Sequence, residues 1–210
     1  MRYDSIIFDL DGTLWDTCEG CAITWNQVLQ AQKVDYREIT IKDMATIMGK
    51  TPDEIRTLFF PYMETEKANR LLHQILQAEN AVIQQGGWNL YQGVREGLAK
   101  LAQHYPLYIV SNCQDGYIQT FDICTNLVQD TIKDFEYIGR TGQPKGQNIR
   151  AIIDRNNLQN SIYIGDTAGD YAAAKQAGVD FAFAAYGFGN VPTPPRQFNN
   201  FTEAVDFFMK

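Results

Sequence analysis

The sequence predicts an α/β protein, a Rossmann-like parallel sheet with helices on both faces and a block of helices inserted into it. Three observations predict it. Five short runs rich in β-branched and aromatic residues recur along the chain, and segments of helical period lie between them. Each run is apolar at consecutive positions, as befits a strand covered on both faces. The alternation breaks once, after the first run, where only helical patterning is found up to about residue 87. With 210 residues there is room for one core domain carrying a smaller insert.

The first strand is read at Tyr3 to Leu10, a YDSIIFDL run ending in acid and glycine. The others are Leu107 to Ser111, Phe135 to Gly139, Ser161 to Gly165 and Asp180 to Ala185. Between them, Val94, Leu98, Leu101 and Ala102 repeat at helical spacing, as do Ile149, Ile152 and Ile153. Ala173, Ala174 and Ala177 do the same, with Gly178 placed to end that helix. Thr202 is read as the cap of a last helix over TEAVDFFM. Short links between strand and helix imply right-handed βαβ units.

The insert is expected to span residues 15–87 and to contain no strand, with the core formed by 1–14 and 88–210. Cys18, Cys21, Ala22, Trp25, Val28 and Leu29 form one apolar stripe, and Ala68, Leu71, Leu72, Ile75 and Val82 form another. Ile41 to Met48 and Pro52 to Phe59 fit shorter helices, Pro52 being suited to a first turn. Gly86-Gly87 marks the return point and a candidate hinge.

Composition narrows the function. Hydrophobic residues at 45% and charged residues at 20% describe a globular chain and exclude disorder. Lys and Arg number 18 against 25 Asp and Glu, a net charge of −7 that argues against a nucleic-acid partner. A small anionic substrate stays open, because a few amides and one cation overcome net charge locally. No stretch reaches the roughly 20 apolar residues of a membrane span or the pattern of a signal peptide, so a cytoplasmic location and no membrane partner are expected. The four cysteines are expected as thiols. Cys18-Glu19-Gly20-Cys21 has half the spacing of a zinc site, but no second pair follows, and core packing is the expectation. His73 and His104 are expected on the surface.

The chemistry concentrates after strand ends, where open α/β sheets bind ligands. Asp9-Leu10-Asp11-Gly12-Thr13-Leu14 follows the first strand. Alone it reads equally as a tight turn; a calcium loop would need glycine where Leu14 stands. Ser111-Asn112, Pro144-Lys145-Gly146 and Gly165-Asp166-Thr167-Ala168-Gly169-Asp170 fall on the same predicted edge. Four motifs in this order resemble the haloacid-dehalogenase superfamily of phosphohydrolases over nearly the whole chain, with the helical insert in the place of that family's C1 cap. The likeness is to its phosphoglycolate-phosphatase-like and β-phosphoglucomutase-like members.

That resemblance implies a phosphatase for a small phosphorylated metabolite, with Asp9 as nucleophile and Asp11 as general acid and base. It implies Mg2+ held by Asp9, the Asp11 backbone carbonyl and Asp166, with Asp170 orienting a metal-bound water. Ser111 and the amides near Gly12 and Asn112 would hold phosphate oxygens, and Lys145 would bridge phosphate and nucleophile. Many relatives follow this lysine with proline, whereas here Pro144 precedes it, so Lys133 and Arg140 are alternatives. Ser111 also fits a strand-end turn, and Asp170 a helix N-terminal charge. A phosphomutase or a catalytically silent phosphometabolite binder are the competing functions. A dehalogenase, which needs neither metal nor Asp11, is the weakest reading. Oligomeric state is not legible in the sequence.

Three further features are left with two readings each. Trp15, Asp16 and Thr17 face the leaving group or pack the first inserted helix. Lys50, in the Gly49-Lys50-Thr51 break, is the candidate for substrate selection or a solvated turn residue. The Tyr186-Gly187-Phe188-Gly189-Asn190 loop closes one side of the site or simply turns.

Overall fold

The computed structural model describes residues 3–210. In chain order the elements are β1 (Ser5–Phe8), β2 (Trp15–Asp16), α1 (Cys18–Ala31), α2 (Ile41–Ile47), α3 (Pro52–Phe59), α4 (Thr65–Ile83), β3 (Asn89–Leu90), α5 (Val94–Ala102), β4 (Leu107–Ser111), α6 (Tyr117–Thr125), α7 (Val128–Thr131), β5 (Ile132–Tyr137), α8 (Ile138–Thr141), α9 (Lys145–Asn156), β6 (Ser161–Gly165), α10 (Ala168–Ala177), β7 (Asp180–Ala184), β8 (Gln197–Phe198) and α11 (Phe201–Phe208). Six strands form one sheet in the order β5-β4-β1-β6-β7-β8, and every pairing in it is parallel.

Alternation along β1 explains the two covered faces. Ile6 and Phe8 point to the side that carries Leu98, Leu101, Phe201 and Val205 of α5 and α11. Ile7 points to the other, against Ile149, Ile152, Ala173 and Ala174 of α9 and α10. All of these are buried. The parallel sheet therefore has no wet face, which is why its strands read as continuous apolar runs.

Several boundaries differ from the sequence reading. The insert does contain a strand: Trp15–Asp16 pairs antiparallel with Asn89–Leu90, so the chain leaves and re-enters the core through a two-stranded ribbon. Two residues are too short for a period to show. The third predicted strand lies at Ile132–Tyr137, and Ile138–Thr141 is already a helical turn. Strand β8, two residues long, carries no period in the sequence. The last helix is capped by Asn200, whose side chain accepts from the Glu203 amide at 2.9 Å, not by Thr202, which lies inside the helix.

The four inserted helices hold together on their own stripes. Trp25 is fully buried and packs against Phe59 and Phe60 at 4.9 and 5.9 Å between ring centroids. Capping boxes at Thr40/Asp43 and Thr51/Glu54 start α2 and α3, each such cap being worth about 1 kcal/mol. Trp15 anchors the insert to the core through edge contacts with Tyr117 and Phe121 at 5.4 and 5.0 Å. At the return point the Gly87 carbonyl accepts from the Gly20 amide at 2.9 Å, which ties Gly86-Gly87 to α1. Cys18 and Cys21 are buried, and burial pushes both thiols up, as packed cysteines rather than reactive ones. His73 and His104 are exposed. Among the described residues, no helix is long and apolar enough to cross a membrane.

Candidate active site

Strand β1 is the centre of the sheet, with Phe8 in register with Ile109 of β4 and Ile164 of β6. Asp9 therefore leaves the sheet between the ends of two neighbours that themselves finish in Ser111 and in Gly165-Asp166. The Asp9 amide donates to the Ile164 carbonyl at 2.8 Å, holding the first residue of the loop to the sheet edge. The next turn is tight: Leu14 donates to the Leu10 carbonyl and Gly12 to that of Trp15.

Gly12 has φ +78°, and a Cβ there would lie 2.1 Å from Asp166 Oδ2. Only glycine lets the loop lie against that carboxylate. The Tyr186–Asn190 loop closes the same side. A Cβ on Gly187 would sit 2.5 Å from Asp166 Oδ2, and the Phe188 amide donates to that oxygen at 2.7 Å.

Asp9, Asp166 and Asp170 are buried and bring ligand oxygens within 4.8 Å of one another, the one such group of potential metal ligands among the described residues. Lys145, the first residue of α9, is buried with them. Its Nζ lies 3.0 Å from Asp9 Oδ1 and 2.6 Å from Asp170 Oδ1. Arg140 instead pairs with Glu136, and Lys133 is exposed, so neither alternative reaches the cluster.

Asp170 has two tasks at once. Its Oδ2 accepts from the Thr167 amide and hydroxyl at the start of α10, and its Oδ1 holds Lys145. Burial disfavours the Lys145 ammonium, but the charges of Asp170 and Asp9 outweigh it and hold its pKa above normal. Burial, with the charge of Asp170, raises Asp9, and the same causes raise Asp166.

Asp11 faces the other way. Its Oδ1 accepts from Tyr117 at 2.8 Å and from Thr17 at 3.2 Å. Burial lifts its pKa to about 6 in spite of those two donors. Thr17, left between two readings above, thus touches Asp11. Tyr117 has no signal in the sequence, lying 106 residues from its partner.

Ser111 is buried at the end of β4. The Asn112 side chain donates to the Gly49 carbonyl at 3.0 Å, so it fastens the loop between α2 and α3 to the core edge. Lys50, next in that loop, is half-buried and lines a cavity of about 60 Å3 together with Asp11, Trp25, Ile55, Glu79 and Tyr117.

The order of the motifs and this geometry meet in one comparison. The sequence profile of the haloacid dehalogenase-like hydrolases matches residues 6–184. The chain belongs to that family. It is a haloacid dehalogenase-like hydrolase with the fold of solved phosphatases. A protein from Haemophilus somnus 129pt described as a predicted phosphoglycolate phosphatase superposes with a TM-score of 0.85 at 20% identity, covering 99% of each chain. A haloacid dehalogenase-like family hydrolase from Streptococcus pneumoniae gives 0.81 at 21% identity, again over 99% of each. CbbY from Rhodobacter sphaeroides, solved in complex with phosphate, gives 0.79 at 16% identity over 96% of each. No curated protein matches the chain's sequence.

A divalent cation fits the cluster. Three buried carboxylates against one ammonium leave two negative charges uncompensated. Asp9 Oδ2 and Asp166 Oδ1 are buried without a hydrogen-bond partner. Orphaned carboxylate oxygens of this kind are costly unless a cation meets them. An all-oxygen donor set suits magnesium rather than a softer metal.

Proposed function

We propose that this hydrolase is a magnesium-dependent phosphatase that cleaves a small phosphorylated metabolite through an aspartyl-phosphate on Asp9. The observation that carries the reading is the division of labour at one sheet edge. Asp9, Asp166 and Asp170 gather their carboxylates, with Lys145 against Asp9 and Asp170, while Asp11, lifted to about 6, is held by Tyr117 and Thr17.

Asp9 and Asp166, with the Asp11 backbone carbonyl, would hold the ion, and Asp170 would act on its water and on Lys145. The ion supplies charge neutralisation, so that an anionic carboxylate can approach an anionic phosphate. An Asp9 oxygen attacks phosphorus and the bond to the alcohol oxygen breaks. Asp11 gives its proton to that departing oxygen. It then takes a proton from the water that attacks the phosphoryl group, freeing Asp9 and inorganic phosphate. A carboxyl near 6 serves both halves at neutral pH. Lys145 holds Asp9 in line and meets a phosphate oxygen. Ser111, the Asn112 amide and the loop amides just before Gly12 hold the others, the Gly12 amide itself being taken by the Trp15 carbonyl.

Residues 15–87 act as a cap over this core, formed by 1–14 and 88–210. The Asn112–Gly49 bond supports a cap loop that rests on the site when closed. Lys50 contributes to substrate selection at the mouth of the cavity. The test is metal dependence: exhaustive chelation abolishes phosphate release, magnesium restores it, and Asp166→Ala removes it or raises the magnesium requirement. Undiminished hydrolysis after chelation would overturn the reading.

A further inference from the structure

The cavity beside Asp11 contains a carboxylate that the mechanism leaves idle. Glu79 lies on α4 four residues after Ile75, on the stripe that buries Ala68, Leu71, Leu72 and Ile75. It is only 5% exposed. Its Oε1 accepts from the Trp25 indole at 2.9 Å and its Oε2 from Gln114 at 3.0 Å. No Lys or Arg pairs with it among the described residues. A leucine would fill this stripe position without a buried charge to solvate. Burial, against the Trp25 bond, pushes the Glu79 carboxyl up to about 7, so the fold holds this group at a cost.

A carboxylate has about four acceptor positions; Trp25 and Gln114 take two and the Cys21 thiol lies against a third, which leaves one for a ligand. The cavity wall mixes apolar Met44, Ile47, Ile55 and Leu76 with Cys21, Tyr117 and Asp11. The cavity has room for a few heavy atoms only. Lys50 lines it too, but Lys50 also borders the outer groove with Lys145 and Thr167, which puts it at the mouth.

We infer that Glu79 selects the leaving group, accepting a hydrogen bond from a hydroxyl or ammonium on the alcohol half of the substrate and turning away a carboxylate there. The substrate class is then the phosphate monoester of a short polyol or amino alcohol. This rests on the proposed function, because the cavity receives the leaving group only if Asp11 protonates the departing oxygen.

Four esters that differ in one terminal group test it: the phosphates of ethanol, ethylene glycol, ethanolamine and glycolic acid. The full chain is assayed with magnesium at pH 8, above the raised range of Glu79 so that the group is ionised, reading kcat/KM from phosphate release. A hydrogen bond to a charged group corresponds to roughly ten- to hundredfold in kcat/KM. The ethylene glycol or the ethanolamine ester therefore exceeds the ethanol ester by about that factor, and the glycolate ester falls below it. Which of the two leads tells hydroxyl from ammonium. Glu79→Gln lowers the ratio of the ethanolamine to the glycolate ester by about tenfold or more, since the neutral amide no longer distinguishes their charges. A glycolate ester that matches or beats the ethanol ester in the wild-type chain overturns the inference and leaves the phosphatase reading standing. So does an unchanged ratio in a folded Glu79→Gln variant. Failure to hydrolyse any of the four overturns the phosphatase reading for short esters, and this inference with it.

Discussion

Glu79 also gives a stability test that needs no substrate. Its carboxyl is raised from 4.5 to about 7, with burial as the largest cause. Between those values the folded protein binds the proton more tightly than the unfolded chain does. Stability contributed by this group is therefore present at low pH and is lost as pH rises from about 4.5 to 7, after which the loss is constant. A shift of this size corresponds to about 3 kcal/mol above pH 7, and to roughly 1 kcal/mol already lost at pH 5. Glu79→Gln removes the titration but disturbs the Gln114 bond, a cost that does not depend on pH. The variant and wild type are unfolded in urea at pH 5 and pH 8. The difference in unfolding free energy should move in the variant's favour by about 2 kcal/mol between the two. A difference that stays flat with pH, or moves the other way, would refute the claim that Glu79 is a buried carboxylate held above its ordinary range.

Two further outcomes follow from the site geometry. Tyr117→Phe removes one of the two donors on Asp11 and should lower kcat about tenfold or more with little change in KM, measured by steady-state phosphate release. Lys145→Gln leaves Asp9 and Asp170 buried without their cation, and should cost about 3–5 kcal/mol in chemical denaturation as well as the activity.

The fold was legible because its signals are local. Continuous apolar strands, helical stripes and the Pro52 start of α3 each lie within one window of sequence. The acidic positions were legible because strand ends place Asp9, Ser111 and Asp166 on one edge, whatever the intervening chain does. Lys145 was harder: Pro144 before it and Gly146 after it obscured the motif, and only the folded α9 shows Nζ between two carboxylates. Tyr117 was not legible, because its role is a contact across 106 residues with no spacing to read. Glu79 did leave a trace. A glutamate at the i+4 position of an apolar stripe is a charge where a hydrophobe belongs. The Trp15–Asp16 strand is too short to carry a period, and the helix starts one residue before Thr202 because Phe201 reads equally well before or inside it, which makes Asn200 the cap.

The central claim is that Asp9 becomes phosphorylated. The most direct measurement is a rapid acid quench of the full chain with magnesium and a turned-over phosphate monoester, followed by peptide mass mapping. The account predicts a hydroxylamine-sensitive phosphoryl group on the peptide carrying Asp9, absent in Asp9→Asn, which also loses turnover while keeping its fold. Phosphate released within one turnover at wild-type rate by a folded Asp9→Asn variant would contradict it.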